Sequence, residues 1–573
     1  MSHPPAYATT EAISNSRLPR RVPRAPYRHA APSGPWPWQN LDDHIPEESN
    51  NATDIEETQY PENHWRNYPE SRFPNWKKEQ VGRSKIMTDL PSNGESTIYH
   101  IDVLQNGEFK RVNPSKVSDD DESAFEEAMM VKKEYSEDNR VRLRAYFVEN
   151  MTVSVMQLIG QKFNVEPFFW TSSVNWIPSR YQENPKSGKG DHITVILKFP
   201  RAILVKFLTG DNNSSDKLAT GEIIDTQRPL PLRKIDPYDS NDTSDTLANS
   251  DIGHAIITDL LAIHMERSIE GSTVITYHPC EEWLTTTASK LHTRVYLAGQ
   301  SVYWNHIFTK SEDPTFVMLA TLWYALYAWD EALEILFNHI SELELKVIST
   351  NSMELTQELH KIRAHLLHYA SLLEDFEQSV VFVRDTTNPA MDIVKPGKAA
   401  ESQALLCKES ANLLTQIRRL KLNRETWDKR LKNVMHLVFS KVNIEDSKVM
   451  QRLTEAAVRD SAAMKQISYL TMVFLPASFI AGIFGMNVKE INQGAKGSLP
   501  HYFETAIPLT IVTAWVIIAF QRRWSQRQDT TYVPLWRRFM WPYDYVKSAI
   551  HRRWGKEQER SISKSDKTAL NEV

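Results

Sequence analysis

Alternating apolar and polar positions predict a mixed domain of strands and helices in the first half of the chain. Helical spacing over Thr152 to Phe163 predicts a helix, and polar residues from Gly188 to Asp191 predict a surface loop. Short β-branched and aromatic runs predict strands at Thr97 to Leu104, Val141 to Val148, His192 to Phe199 and Ser272 to Tyr277. Residues 96–304 are therefore predicted to form an α/β domain.

The pattern after Asp313 is helical throughout. The uncharged run from Thr315 to Trp329 has 15 residues, fewer than the roughly 17 that a membrane span needs, so it predicts a buried core helix. A second helix near Met353 to Val383 is expected to pair with it in antiparallel orientation. No proline or glycine occurs between Gly397 and Pro476, which predicts one very long helix. Its apolar stripe requires a partner; the stripe comprises Trp427, Leu431, Val434, Val438, Val442, Val449, Leu453 and Ala457.

Two apolar runs near the C-terminus predict a membrane hairpin. Gln466 to Val488 has 23 residues without a charge, which a helix extends over roughly 34 Å, enough to cross a bilayer. Thr505 to Gln521 is a second uncharged run of 17 residues. Residues 522–560 carry ten Lys or Arg against four Asp or Glu, so the positive-inside rule places both termini in the cytosol.

Composition narrows the classes of function that remain. A net charge of −5 gives no electrostatic basis for binding nucleic acid. The first 95 residues hold 13 of the 30 prolines and few aliphatic residues, which predicts a disordered arm. The absence of a clear transit peptide favours the plasma membrane, with the vacuolar and mitochondrial inner membranes as alternatives.

A Gly-Met-Asn motif closes the first predicted span. It comprises Gly485, Met486 and Asn487 and follows Phe484. In this position, after a very long helix and before a second span, the motif resembles that of the CorA family of magnesium channels, and the layout resembles the fungal members. The similarity is sharpest from Met464 to Asn487. It implies a funnel of CorA type, with an α+β cytosolic domain, a long stalk helix and two C-terminal transmembrane helices.

The resemblance also implies a homopentamer in the lipid bilayer, in which five copies of the first span line the pore. Mg²⁺ holds its water shell tightly and prefers oxygen ligands, so a ring of Asn487 carbonyls suits a hydrated ion as a metal-binding filter. Gly485 allows the backbone to turn there, and Met486 packs beside the filter. Leu475 and Met464 are the predicted gate. The predicted pore-lining residues, which match the family's pore face, are Ser461, Met464, Ile467, Thr471, Leu475, Ser478 and Phe484.

Two further groups of residues are compatible with divalent cations. His360, His365 and His368 lie on one predicted helix with Glu358 nearby, but solvated histidines on a helix face are commoner than metal sites. The acidic run from Asp119 to Glu122 matches the kind of cytosolic site at which Mg²⁺ would also act as a regulatory ligand in the resembled family. A solvated, helix-capping loop is the stronger interpretation.

No phosphate-binding glycine loop, nucleophile elbow or HExxH motif occurs, so no enzymatic activity is predicted. The leading prediction is a magnesium channel driven by the membrane potential. Transport of Zn²⁺, Co²⁺ or Ni²⁺ and a non-conducting membrane-anchored sensor or scaffold remain alternatives. The predicted segments are an arm (1–95), an α/β domain (96–304), a helical hairpin (305–395), a stalk helix (396–465), a first span (466–488), an external loop (489–504), a second span (505–521) and a basic cytosolic tail (522–573).

Overall fold

The computed structural model divides the chain into two compact units, Met1–Lys441 and Val442–Val573. The structure describes residues 13–14, 22, 64–84, 86–92, 94–118, 140–207, 224–232, 251–279, 285–349, 353–393, 396–484, 494, 499–525, 540, 543 and 547–548.

The described part of the first unit contains a ten-stranded sheet. Its order is β1-β7-β9-β10-β5-β2-β3, with β4 beside β2, β6 beside β7 and β8 beside β9. The strands are β1 (Ile13–Ser14), β2 (Glu95–Leu104), β3 (Phe109–Arg111), β4 (Ser115–Ser118), β5 (Val141–Glu149), β6 (Ser179–Lys186), β7 (Gly190–Phe207), β8 (Leu230–Leu232), β9 (Asp251–Ser268) and β10 (Ser272–Tyr277).

Only two pairs of described strands are parallel, β1 with β7 and β5 with β10. The other pairs are antiparallel, and several are joined by short connections rather than by crossover helices. The sequence pattern predicts an α/β domain, whereas the mostly antiparallel sheet makes this domain α+β. The α+β class is the one that the sequence resemblance implies.

The four predicted strands are confirmed. The run from His192 to Phe199 is the middle of the 18-residue strand β7, which pairs with β9 along its whole length. Strand β9 itself is absent from the prediction, because Asp259, His264 and Glu266 interrupt its apolar residues. Such polar positions remove the alternation by which a strand is recognised.

Helices cover both faces of the sheet. The predicted helix over Thr152 to Phe163 is confirmed as α2, and the Thr152 hydroxyl caps it by accepting from the backbone N–H of Val155. The described helices of the first unit are α1 (Lys78–Ser84), α2 (Val153–Lys162), α3 (Pro167–Val174), α4 (Ala288–Gln300), α5 (Val302–Lys310), α6 (Thr315–Ser349), α7 (Met353–Asp385) and α8 (Pro396–Phe484), the last of which continues into the second unit; 3₁₀ turns lie at His64–Asn67 and Pro389–Ile393.

Residues 64–84, which we call the aromatic cap, correct the prediction of a disordered arm up to residue 95. Trp65, Tyr68 and Trp76 are buried in one core cluster with α2, α3 and one face of the sheet. Scattered aromatic side chains each bury a large apolar area, so a segment with few aliphatic residues can still fold. The Tyr68 ring lies where a side chain on Gly160 would be, 2.3 Å from an ideal Cβ.

Little of the chain before the aromatic cap belongs to the described residues. Ile13 and Ser14 pair with the end of β7, and the N–H of Val22 donates to the carbonyl of Gln227 at 3.1 Å. The prediction of disorder for the remainder of residues 1–63 falls outside the described residues.

Helices α6, α7 and the first part of α8 pack together below the other face of the sheet. Trp329 contacts Tyr369 and His339 contacts Glu358, so α6 and α7 are antiparallel, as predicted. Asp330 pairs with Arg419 at 2.9 Å, which brings α8 alongside α6. The run from Thr315 to Trp329 is confirmed as part of a core helix, since most of its side chains are buried.

A buried ion pair joins the sheet to the ends of α6 and α7. Arg267 on β9 pairs with Asp191 on β7, and both side chains are fully buried. The same guanidinium donates to the hydroxyl of Thr315 at 3.1 Å and to the carbonyl of Thr386 at 3.2 Å. The surface loop predicted from Gly188 to Asp191 is thus wrong at its last two residues, which lie in strand β7.

Candidate ion-conducting segment

The second unit contains the C-terminal part of α8 and helix α9 (Leu499–Ser525). The predicted stalk helix and most of the predicted first span lie in α8. Residues 466–484 carry no charge, and Lys465 immediately precedes them. Pro476 lies inside α8 without ending it.

The apolar side chains of this part of α8 are largely exposed in the single chain. Ile467 is 64% exposed, Phe474 63% and Phe479 64%. A contiguous apolar surface of this kind on a soluble monomer would be unusual, and it marks a surface that contacts lipid or protein. Among the described residues one helix, Gly397–Ile483, includes a stretch long and apolar enough to cross a membrane.

The structure describes six of the predicted pore-lining residues fully. They lie on α8 at intervals of three or four residues, so they share one face of the helix, and each is exposed: Ser461, Met464, Ile467, Thr471, Leu475 and Ser478. Phe484 is the last residue of α8. The predicted filter residues Gly485, Met486 and Asn487 lie outside the described residues.

Hydroxyl groups along this face bond to the helix's own backbone. Thr471 Oγ1 donates to the Ile467 carbonyl at 2.9 Å, and Ser478 Oγ donates to the Phe474 carbonyl at 2.8 Å. Such i−4 bonds satisfy the hydroxyl proton and leave the oxygen lone pairs available. The face can therefore enter an apolar environment and still accept hydrogen bonds from water around an ion.

A hydrogen bond links α9 to α8. The Tyr502 hydroxyl donates to the carbonyl of Ala477 at 3.2 Å, one residue beyond Pro476. Pro476 and Ala506 are both buried. Tyr502 is not among the residues predicted from the sequence, because a tyrosine at the start of a helix carries no signal of its partner. The predicted second span, Thr505 to Gln521, lies within α9, and its crossing of a membrane stays a prediction.

The apolar stripe of α8 changes its environment along the helix. Leu431, Val434 and Val438 are buried in the first unit. Val449 is 48% exposed and Leu453 61% exposed, both in the second unit. Leu431, Val434 and Val438 therefore have packing partners within the chain, whereas the stripe at Val449 and Leu453 is left exposed.

The helical part of the chain is similar to a known protein family. Residues 305–523 match a family model described as CorA-like Mg²⁺ transporter protein. We call residues 305–523 the CorA-like region after this match. It includes all of α6, α7 and α8 and most of α9, and it excludes the sheet and the aromatic cap. No curated protein sequence matches the chain.

Solved structures with similar chains share little sequence with this one. The complete CorA magnesium transporter from Methanocaldococcus jannaschii is 14% identical, with a TM-score of 0.35 over 75% of this chain and 98% of that chain. The soluble domain of CorA from the same organism is 13% identical, with a TM-score of 0.33 over 60% and 96%. The full-length CmaX protein is 12% identical, with a TM-score of 0.33 over 76% and 99%.

The histidines of α7 do not form a metal site with other described side chains. Burial lowers the pKa of His365 to about 4, so this side chain is a neutral core histidine rather than a solvated one. His368 contacts Gln227 at 3.1 Å, and Glu358 pairs with His339 instead. Among the described side chains no three His, Cys, Asp or Glu come together as they would around a metal ion. The acidic run from Asp119 to Glu122 lies outside the described residues.

Proposed function

We propose that this protein is a divalent cation channel, selective for Mg²⁺, that conducts hydrated ions through a homo-oligomeric pore. The match of residues 305–523 to the CorA-like Mg²⁺ transporter family carries the proposal. The exposed, uncharged end of α8 within the matched region supports it, because that surface requires lipid or further protein around it. The membrane potential would drive uptake at roughly 2.3 kcal/mol per charge per 100 mV.

In this proposal the protein crosses the membrane twice. The first span is 466–488 and the second is 505–521, joined by the external loop 489–504. The Lys and Arg excess of residues 522–560 favours cytosolic termini. The plasma membrane is the proposed location, and the stalk 396–465 and the domains before it would lie in the cytosol.

The ion pathway would follow the uncharged face of α8. Ser461, Thr471 and Ser478 offer hydroxyl oxygens, while Met464 and Leu475 interrupt them with apolar side chains. An apolar constriction closes a narrow pore by excluding water, and hydroxyl positions hold water when it is open. Five copies of the chain would place these faces around one axis. They would also cover the exposed part of the apolar stripe of α8 at Val449 and Leu453.

The filter would lie at the outer end of the first span. Asn487 supplies neutral amide oxygens, which suit a cation that keeps its water shell. Gly485 provides backbone freedom next to it, and Met486 packs beside the ring. The outer loop has no acidic excess, so selectivity would depend on the amides rather than on a concentrated negative charge at the mouth.

A flux assay in liposomes tests this function directly. Purified full-length protein is reconstituted, and entry of Mg²⁺, Zn²⁺, Co²⁺ and Ni²⁺ is measured separately, with protein-free liposomes as the control. The proposal predicts that Mg²⁺ enters faster than the other three ions. Preference for Zn²⁺, Co²⁺ or Ni²⁺ would overturn the assignment of the ion, and flux of none of them would overturn the channel itself.

Replacing Leu475 with serine is expected to make the closed pore leak. A hydroxyl at the proposed constriction lets water remain there, and a barrier lowered by about 1.4 kcal/mol raises a rate tenfold, so Mg²⁺ flux in the closed state should rise roughly tenfold. The matched control is Leu470→Ser, an equally exposed leucine away from the proposed pore face. An equal leak in both variants would place the constriction elsewhere.

A further inference from the structure

Two glutamates, Glu166 and Glu183, lie on neighbouring segments beneath the aromatic cap, outside the CorA-like region. Phe168, two residues after Glu166, packs against Tyr181, two residues before Glu183, with ring centroids 5.5 Å apart. Glu166 precedes α3 and is buried. One of its oxygens accepts from the indole N–H of Trp76 at 2.9 Å, and the other accepts from the backbone N–H of Phe168 at 2.6 Å. Glu166 thereby connects the cap to the start of α3.

The second carboxyl group, Glu183 on β6, is incompletely satisfied. Its Oε2 atom is buried and has no hydrogen-bond partner among the described side chains. Burial and the charge of Glu166 together raise the pKa of Glu183 to about 7. A carboxylate with a buried, unpaired oxygen is costly, whereas a protonated carboxyl group loses its charge and gains a donor.

Among the described residues, the groups that face Glu183 offer it no compensating charge. His192 lies directly opposite it on β7, and Glu266 lies opposite His192 on β9, so the three side chains share one face of the sheet. Burial lowers the pKa of His192, which keeps this imidazole neutral near pH 7. Tyr181 on the same strand is also neutral, since burial and the two glutamates raise its pKa.

The aromatic cap contributes one further group to this site. The pKa of Tyr68 is raised by burial, by Glu166 and by Glu183, so the phenol is neutral and lies within the field of both carboxyl groups. Its hydroxyl donates to the Val165 carbonyl at 2.5 Å and accepts from the Trp170 indole at 3.0 Å. Strand β6 carries two cations: Arg180 pairs with Asp375 at 3.5 Å, and Lys186 is at the exposed end of the strand.

We propose that Glu166 and Glu183 form a proton-binding site that controls how firmly the aromatic cap packs on the sheet. With one proton held between the two side chains, the site carries a single negative charge. The indole N–H of Trp76 and the backbone N–H of Phe168 donate hydrogen bonds to it. Loss of that proton places two negative charges under the cap. Opening of the cap admits water to both carboxylates and relieves their repulsion.

The direction of the pH effect follows from the raised pKa. In the open state Glu183 ionises near its ordinary pKa of 4.5, and in the packed state it ionises at about 7. Between these values the packed state binds the extra proton, so packing weakens as pH rises through this interval. The loss is complete once pH exceeds the higher value.

Hydrogen–deuterium exchange of the full-length protein in detergent tests the proposal. Exchange of peptides from residues 64–84 is measured at about pH 6 and about pH 8, and the rates are corrected for the intrinsic effect of pH on amide exchange. For the wild type, opening of the cap should increase on the order of tenfold between the two conditions, because up to about pH 7 the packed state still holds a proton that the open state has already released. The variant Glu183→Gln should show no such increase.

Two further variants complete the test. Glu166→Gln removes the facing charge and should also reduce the increase, and it tests the same site if Glu183→Gln folds poorly. Glu270→Gln removes an exposed carboxylate from the turn after β9 and should behave as the wild type. A wild-type ratio near one, or a tenfold increase retained in Glu183→Gln, would overturn the proposal. The measurement does not depend on ion flux, so its failure would leave the proposed channel intact.

Discussion

Replacing Asn487 with alanine is expected to abolish most Mg²⁺ flux while the oligomer stays assembled. In the proposed filter each copy contributes one amide oxygen to the water shell of the ion. Hydrogen bonds that involve a charged group are worth about 1.5–3 kcal/mol, so loss of the ring should lower flux on the order of tenfold to a hundredfold. Flux in liposomes reports the loss, and size-exclusion chromatography with light scattering reports the assembly.

The matched control for this substitution is Asn492→Ala. Asn492 lies five residues beyond the motif in the same connector, so its replacement removes an identical amide outside the proposed filter. Wild-type flux is expected from it. If Asn487→Ala conducts as the wild type does, the filter is not formed by this residue. If the variant loses its oligomeric state as well as its flux, Asn487 acts in assembly.

Removing the charge of Asp191 is expected to be the most destabilising conservative change in the first unit. Asp191→Asn preserves the shape of the side chain but leaves the fully buried guanidinium of Arg267 without its counter-ion. Breaking a buried pair from one side costs about 3–5 kcal/mol. The effect should also reach α6 and α7, because Arg267 bonds to Thr315 and Thr386 at their ends.

Chemical unfolding of the full-length protein in detergent measures this cost, with far-ultraviolet circular dichroism as the probe. The matched control is Asp385→Asn, which breaks the solvent-exposed pair with Arg384 and should change stability by less than about 1 kcal/mol. The double variant Asp191→Leu with Arg267→Met should recover part of the loss, since no charge is then buried alone. Equal effects of the two single variants would contradict the role assigned to the buried pair.

Short stretches of sequence predicted those helices and strands whose stabilising interactions join residues close together in the chain. The absence of proline and glycine from residues 398–475 was sufficient to predict the long helix α8, because helical hydrogen bonds join residues four apart. The apolar runs of β2, β5 and β10 predicted strands for the same kind of reason. The uncharged residues at the end of α8 and the Gly-Met-Asn motif indicated the family that the match to residues 305–523 supports.

Contacts between distant parts of the chain decided what the sequence left open. The composition around Trp76 predicts a disordered arm, but Glu166, 90 residues away, accepts from its indole. Asp191 looked like a loop residue because its partner, Arg267, lies 76 residues further along. Burial of an aromatic ring or of a charge depends on what covers it, and composition within a short window does not contain that information. The sequence by itself therefore determined the long helices α6, α7 and α8 and four of the ten described strands, and the filter at Asn487 stays a prediction. Only the tertiary structure decided which polar and aromatic residues are buried together.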